Sequence, residues 1–242
     1  DIMSGIILFD IETTNLKANF GHILCFGYKE LGSKRTKVLS ISDYPSAFKK
    51  DPTNDYLLCK DIAKVLSYAD AWVTWYGIRF DVPFIQTRLL SHGLPTIPNT
   101  PHIDGWRTAR YKMCLNNNRL ATVQSFLELP DAKTAICPKN WRRAISGHKP
   151  SIKYVRDHCK YDVLVLEQAY EKIRPLVVNH PNLNLLNKTE KCCSYCGSKN
   201  LRYKGEVIAH TRIYDRYHCL DCNSYPRARS AKKILIPEIR SA

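Results

Sequence analysis

Residues 5–13 read GIILFDIET, an apolar run that ends in acidic residues. The run predicts a buried strand. Asp10 and Glu12 are two residues apart, so both side chains lie on one face of the strand and converge near its end. Two carboxylates held close are costly unless a cation neutralises them, and carboxylate oxygens suit Mg²⁺ or Mn²⁺. Two solvated acids at a strand end are the simpler explanation of this pair taken alone.

Outward from this run, the chain alternates between strand and helix patterns. Three closely linked strands come first and predict an antiparallel meander, and later strands alternate with helices. This order predicts an α/β fold, a mixed sheet flanked by helices. The further predicted strands are Ile23–Tyr28, Lys37–Ile41, Ala71–Tyr76 and His102–Trp106, and the predicted helices are Tyr56–Ala69, Asp81–Ser91, Arg119–Leu129 and Ser151–Ile173, the last with Ser151 as its N-cap.

The composition suggests two domains and a polyanionic partner. Residues 1–175 carry the α/β pattern, residues 176–190 are polar and read as a linker, and residues 191–242 form a small cysteine-rich domain with a basic tail. The chain has 37 Lys and Arg against 22 Asp and Glu, a net charge of +15. This excess favours nucleic acid as the partner, although a merely basic surface would give the same charge.

The ten cysteines are unevenly distributed, and five of them lie in the last 52 residues. The pairs Cys193/Cys196 and Cys219/Cys222 each have C-x₂-C spacing, and Gly197 or Asn223 follows directly, as a positive φ after a metal-binding turn requires. Two such turns predict one structural Zn²⁺ held by four thiolates, with room for a hairpin between them. The asymmetry also predicts a reducing compartment.

Basic and aromatic residues interleave around these cysteines. The arginines can contact phosphates, while the tyrosines can stack on bases or complete a thin core, and both roles stay open. The predicted nucleic-acid contacts of this segment are Arg202, Arg212, Arg216, Arg227 and Arg229.

Two further acids lie where working residues are common. Asp81 follows YGIRF at a strand-to-helix transition, where it could equally cap the helix. Asp162 lies within the long C-terminal helix, and His158 precedes it by one turn on the same face.

Three segments resemble, in chain order, the exonuclease motifs of the DEDD family within the ribonuclease H-like superfamily. They are DIET at 10–13, YGIRFDVPF at 76–84 and HCKYDVLVLEQAY at 158–170. The resemblance covers about residues 5–175 and implies a ribonuclease H-like sheet and removal of nucleotides from a 3′ end by two-metal-ion hydrolysis. It implies that two Mg²⁺ or Mn²⁺ ions are held by Asp10, Glu12, Asp81 and Asp162, and the C-terminal segment resembles a zinc ribbon.

The chain departs from the family pattern at two positions. Tyr76 stands where the second motif often has Asn, and we expect Tyr76 and Arg79 to contact the nucleic acid. His158 lies four residues before Asp162, whereas the histidine branch of the family has its histidine five residues before. The shift turns the side chain by about 100° around a helix. A neutral imidazole there can act as the catalytic general base.

The sequence therefore predicts a metal-dependent 3′→5′ exonuclease whose zinc ribbon helps to hold nucleic acid. A single-stranded DNA 3′ end is the first choice of substrate, and RNA is the alternative. A catalytically weak nucleic-acid-binding or assembly module and an internally cutting nuclease are the competing hypotheses. We expect a cytoplasmic protein without membrane association, since no apolar run approaches the roughly 18 residues of a span. The motifs are compatible with a phage or bacterial replication or repair protein, either stand-alone or with a partner in a larger machine.

Overall fold

The structure is a computed structural model that describes residues 5–130, 137–178, 180–183, 191–209 and 212–234. Its contacts divide the chain between Lys172 and Ile173 into two compact units. The predicted domains 1–175 and 191–242 and the linker between them stay predictions, since residues 179 and 184–190 lie outside the described ranges. Within those ranges, no helix combines the length and apolarity needed to cross a bilayer.

The N-terminal unit contains a five-stranded mixed sheet, which confirms the predicted fold class. The strands are β1 (Ile6–Thr13), β2 (Ile23–Glu30), β3 (Lys37–Ser40), β4 (Ala71–Thr74) and β5 (His102–Asp104). They lie in the order β3-β2-β1-β4-β5. The first three pair antiparallel as predicted, and β4 and β5 continue the sheet in parallel with β1. The central strand β1 is covered on both faces, so its apolar residues are fully buried.

Seven helices accompany this sheet in the described part of the chain. They are α1 (Pro45–Lys50), α2 (Tyr56–Ser67), α3 (Asp81–Ser91), α4 (Gly105–Lys112), α5 (Leu120–Phe126), α6 (Pro138–Ile145) and α7 (Lys149–Ile173). The core joins the sheet to the apolar faces of α2, α3 and α7, through Phe9, Phe26, Leu58, Ile62, Trp72, Ile85 and Val155.

The structure corrects three details of the predicted elements. The long helix begins at Lys149, two residues before the predicted N-cap Ser151, whose hydroxyl instead lies 2.9 Å from His148 Nδ1. Strand β4 ends at Thr74 because Tyr76 has a φ of 71°, which extended backbone does not allow. Helices α1, α4 and α6 were not predicted, since six to eight residues are too few to show a periodicity.

The C-terminal unit contains a small antiparallel sheet. Its strands are β6 (Leu201–Ala209), β7 (Arg212–Cys219) and β8 (Lys233–Ile234), in that order. Strands β6 and β7 form the hairpin expected between the two cysteine pairs.

Candidate active site and metal centres

Strand β1 brings the first two acids to the middle of the sheet. Asp10 lies opposite Gly27 of β2, and Glu12 lies opposite Cys25. Each of the two carboxylates has an oxygen within 4.8 Å of one from the other, and the Cys159 sulfur lies within the same distance. The period of the strand therefore places Asp10 and Glu12 together, as the sequence predicted.

Asp81 reaches the backbone between these two acids from the helix that follows the neighbouring strand β4. It is the first residue of α3, and its Oδ1 accepts a hydrogen bond of 3.2 Å from the backbone N–H of Ile11, between Asp10 and Glu12. Its side chain is only 3% exposed. Burial raises the pKa of Asp81 to about 7, because the loss of water disfavours the charged form. A divalent cation bound beside Asp81 would favour the charged carboxylate and so lower this pKa again.

Helix α7 lies unusually close to the sheet beside these acids. A Cβ atom on Gly27 would lie 2.8 Å from Cys159 Sγ and 3.1 Å from the Cys159 carbonyl oxygen, so only glycine fits there. The Cys159 thiol donates to the carbonyl oxygen of Asp10 over 3.6 Å. This close approach sets the distance between α7 and β1, and with it the positions of the residues that α7 contributes.

His158 and Asp162 are those residues. His158 Nε2 lies 3.8 Å from Glu12 Oε1 and 3.7 Å from Asp162 Oδ2, and one ligand atom from each residue falls within a single 4.8 Å cluster. The imidazole is 2% exposed and meets the Trp141 ring edge-on, with 5.9 Å between ring centroids. The unusual register therefore leaves the imidazole beside the acids.

A cleft of about 450 Å³ opens beside the acids. Asp10 and Asp162 line it together with Trp75, Tyr76 and Trp106. Tyr76 is one of the predicted nucleic-acid contacts. The other, Arg79, is exposed on the turn before α3, and its backbone N–H bonds to the Tyr76 carbonyl over 3.1 Å.

Asp104 holds the loop that carries Tyr76. Its carboxylate accepts from the backbone N–H groups of Tyr76 at 3.0 Å and Ile78 at 3.2 Å, and from Trp106 at the start of α4. These bonds give Asp104 a structural role. The sequence reasoning missed Trp106 and Arg119, which line the cleft with the acids, and Trp141, which packs on His158. The sequence does mark the segment that contains Trp106 and Arg119, because residues 105–127 carry four basic and no acidic side chains.

A second cluster of titratable side chains in this unit is already neutralised by Arg88. Asp55, Cys59 and His92 are close enough to share a metal ion. However, Asp55 already accepts from Arg88 Nε at 3.0 Å and Nη2 at 2.6 Å, and from the Ile23 N–H at 2.9 Å. This cluster is therefore a buried ion-pair network that joins α2, α3 and β2.

The four predicted zinc ligands converge in the C-terminal unit. Cys193 Sγ lies 3.7 Å from Cys222 Sγ, and Cys196 Sγ lies 3.6 Å from Cys219 Sγ. These separations are too long for a disulfide, whose sulfurs are about 2.05 Å apart. They match the edge of a tetrahedron with metal–sulfur bonds of about 2.3 Å, which is roughly 3.8 Å. The sulfur positions therefore fit zinc.

The two halves of this cluster repeat one backbone pattern. The N–H of Gly197 bonds to the Cys193 carbonyl at 2.8 Å, and the N–H of Asn223 bonds to the Cys219 carbonyl at 3.0 Å. Gly197 has a φ of 76° and Asn223 a φ of 59°, as the sequence predicted. Ser224, which was not predicted, is fully buried with its hydroxyl 3.2 Å from Cys193 Sγ and 3.0 Å from Cys222 Sγ.

Most of the predicted arginines of this unit share one face of the sheet. Every second side chain of β7 lies on the same face of the sheet, and this set includes Arg212, Tyr214, Arg216 and His218. Arg202 pairs directly with His218, and Arg227 pairs directly with Arg216, so both lie on that face as well. Arg229 is exposed two residues after Arg227. Arg216 is half-buried and donates to the Lys204 carbonyl over 3.4 Å, so the hairpin already uses part of its guanidinium.

The tyrosines of this face divide between the two roles left open. Tyr214 is buried beneath the Arg227 guanidinium, 4.1 Å from its ring centroid, and belongs to the core. Tyr225 is 57% exposed and stacks on His218 with 4.6 Å between centroids. One ring thus completes the thin core while the other is available to solvent.

The chain is similar to known proteins in sequence family and in fold. Among solved structures, the chain is similar to the family B DNA polymerase from the hyperthermophilic archaeon Pyrobaculum calidifontis, with 13% identity and a TM-score of 0.47. The match covers 76% of this chain and 27% of that chain, so the chain spans about a quarter of the polymerase's length. No curated protein matches. The model of the RNase H superfamily matches residues 7–174, which include all four acids and His158. The chain belongs to the RNase H superfamily.

Proposed function

We propose that the protein is a metal-dependent 3′→5′ exonuclease that hydrolyses phosphodiester bonds of nucleic acid by a two-metal-ion mechanism. Superfamily membership supports nuclease activity in general. The observation that carries the finer proposal is the convergence of four carboxylates from three elements: Asp10 and Glu12 from β1, Asp81 bonded to the backbone between them, and Asp162 from α7.

Asp10, Glu12, Asp81 and Asp162 would hold two Mg²⁺ or Mn²⁺ ions. They fit hard divalent cations because every donor is a carboxylate oxygen and because burial makes the ionised form of Asp81 unfavourable without a cation. Such ions, when bound, activate the attacking water and stabilise the leaving 3′ oxygen. Four carboxylates against two divalent ions leave the site near neutrality, so an anionic phosphate can enter.

We assign His158 the role of general base. Its Nε2 lies 3.8 Å from Glu12 Oε1 and 3.7 Å from Asp162 Oδ2, so the imidazole lies beside the carboxylates that would hold the ions and, with them, the attacking water. Trp141 packs edge-on against the imidazole and restrains its orientation. His158 therefore requires little reorganisation to accept a proton from the attacking water.

Single-stranded DNA with a free 3′ end is the favoured substrate, and RNA is the alternative. Tyr76 beside the acids offers a ring on which a base of either sugar type can stack. In the C-terminal unit, one Zn²⁺ on Cys193, Cys196, Cys219 and Cys222 would hold the hairpin. The exposed Arg202, Arg212, Arg227 and Arg229 would then contact phosphates and strengthen binding.

One observation favours a second candidate, a catalytically weak nucleic-acid-binding or assembly module. The His158 imidazole is 2% exposed, so it meets little solvent before a substrate binds. A protein of this kind would use its basic ribbon and its cleft for binding and would cut slowly.

An end-labelled degradation assay tests the proposal. We expect a 5′-labelled single strand to shorten as a descending ladder with Mn²⁺, and Asp10→Ala to abolish the shortening. Scattered internal fragments would identify an internally cutting nuclease. Binding without Asp10-dependent cleavage would favour the binding module. Asp157→Ala is the matched control, because Asp157 is an exposed acid on α7.

A further inference from the structure

We propose that a surface trough leading away from the four acids binds the single-stranded part of the substrate. One base would lie against Tyr76 and Trp106, the adjacent base would lie near Phe126, and Arg119 would contact the phosphate between them. This inference rests on the proposed exonuclease function and adds to it the path of the strand.

The trough consists of two clefts that meet. The first, of about 450 Å³, is lined by Asp10 and Asp162 and also by Arg119 and Ala121. The second, of about 500 Å³, is lined by the same Arg119 and Ala121 and by Phe126. Because the two clefts share these residues, they adjoin at the start of α5.

Each cleft presents an aromatic ring to solvent. In the first, the rings of Tyr76 and Trp106 meet edge to face with 5.0 Å between centroids, and Tyr76 is 39% exposed. In the second, Phe126 is 62% exposed at the end of α5. Rings with open faces beside a nuclease site are suited to stack unpaired bases of any sequence.

The backbone at Tyr76 gives independent support. Tyr76 has a φ of 71°, a left-handed conformation that Asn adopts far more readily than an aromatic residue. Asp104 holds the residue there through its N–H at 3.0 Å. Strained residues held in place by their surroundings cluster at functional sites. The fold therefore carries a strained tyrosine beside the acids, where its ring is available to a ligand.

The charge of the trough fits a phosphate chain. Between Asp104 and Glu128 the sequence carries Arg107, Arg110, Lys112 and Arg119 and no acidic residue. Arg119 is exposed at the junction of the two clefts. A positive stretch that begins at the metal site would attract the polyanion and direct it toward the acids.

The floor of the trough is fixed before any substrate binds. Trp75 donates its indole N–H to the Asn118 carbonyl over 2.9 Å and packs against Gly105, where a Cβ atom would lie 2.4 Å from the ring. Asn117 Oδ1 accepts from the Arg119 N–H at 3.0 Å and orders the start of α5. Binding would therefore order few protein groups, which favours affinity.

The test measures binding of single strands with one missing base. The full chain carrying Asp81→Asn, with Mn²⁺, is titrated into 5′-fluorescein hexathymidylates in which a single abasic sugar is moved one position at a time from the 3′ end. We expect two adjacent abasic positions to lower the affinity about tenfold each. Tyr76→Asn, which relieves the backbone strain, should remove the sensitivity at one of them, and Phe126→Ser should remove it at the other.

Two further variants test the phosphate contact. Arg119→Gln should weaken the binding of every oligomer and reduce the slope of log affinity against log salt concentration by about 1. Arg35→Gln removes the same charge from the exposed turn between β2 and β3 and should change neither.

The trough is refuted if the abasic sugar has the same effect on affinity at every position. It is also refuted if Tyr76→Asn and Phe126→Ser lower the affinity for all oligomers by one common factor. Cleavage is measured separately with Asp81 intact, so the two proposals can fail independently. A position-specific binding pattern without cleavage would refute the exonuclease and leave the trough. Cleavage from the 3′ end together with an equal affinity for every abasic oligomer would refute the trough and leave the exonuclease.

Discussion

Replacing Gly27 by alanine should disturb the candidate active site without changing any of its four acids. Gly27 lies on β2 opposite Asp10, and its missing side chain allows α7 to approach the sheet. A Cβ atom there would lie 2.8 Å from Cys159 Sγ and 3.0 Å from Val163 Cγ2. Non-bonded carbon atoms prefer about 3.5–4.0 Å, so α7 would have to move outward by several tenths of an ångström or more.

The size of the effect follows from two opposing contributions. Overpacking a well-packed core costs roughly 1–3 kcal/mol. Alanine in a strand recovers about 0.5–1 kcal/mol relative to glycine through the lower entropy of its unfolded state. We therefore expect Gly27→Ala to lower the free energy of unfolding by roughly 1 kcal/mol, and by about 2.5 kcal/mol at most. Because α7 carries His158 and Asp162, a displacement approaching 1 Å should lower the cleavage rate by up to about 100-fold.

Urea unfolding followed by tryptophan fluorescence measures the stability of the N-terminal unit alone. All four tryptophans, Trp72, Trp75, Trp106 and Trp141, belong to that unit. The cleavage rate is measured on the same preparations with saturating Mn²⁺. The two readouts separate a general loss of folded protein from a displaced helix.

The second-site variant Cys159→Ala makes the argument specific. It removes the sulfur that Gly27→Ala would strike, so the double variant should recover part of the stability and the rate lost in Gly27→Ala. Equal stability and rate in wild type and Gly27→Ala would contradict the close-approach argument. Purely additive effects in the double variant would show that Cys159 is not the obstacle.

Four further outcomes are expected. Burial raises the pKa of Asp81 from 3.8 to about 7, so the metal-free protein should lose roughly 4 kcal/mol of stability as the pH rises from about 4 to about 7. Urea unfolding of wild type should show this loss and Asp81→Asn should not, and parallel pH profiles would refute it. His158→Ala should lower the cleavage rate substantially while strand affinity is kept, and an unchanged rate would remove His158 as the general base. Metal analysis should find one zinc per chain, and Cys219→Ser should lose it; zinc retained in that variant would exclude Cys219 as a ligand. Arg202→Gln and Arg212→Gln should each reduce the salt slope of binding by about 1, and unaltered slopes would assign the ribbon face to another role.

Much of the site could be predicted because its chemistry is local in sequence. The i, i+2 spacing of Asp10 and Glu12 and the strand-to-helix position of Asp81 follow from backbone geometry that short segments specify. The two C-x₂-C turns, with Gly197 and Asn223 after them, likewise contain their own conformational requirement. The helix limits could not be predicted as closely, as the start of α7 at Lys149 shows, because several neighbouring residues can begin a helix and the Ser151 hydroxyl pairs with His148 Nδ1.

The short helices and the cleft residues escaped prediction for a different reason. Helix α4 begins where Asp104 caps the N–H groups of Trp106 and Arg107. Nothing within its eight residues shows that its first turn lies beside Asp10 and Asp162. Packing across the sheet decides that arrangement.

The sequence by itself determined the order of strands and helices along the chain and pointed to the four acids and the four thiols, because each of these rests on a pattern within a short segment. Only the tertiary structure decided where His158 lies. Its register in sequence differs from the histidine branch by one residue, which on an isolated helix is a rotation of about 100°. The approach of α7 to the sheet at Gly27 and the packing of Trp141 nevertheless place its Nε2 between Glu12 and Asp162. A distance between two elements is a property of how they pack, and no single segment contains it.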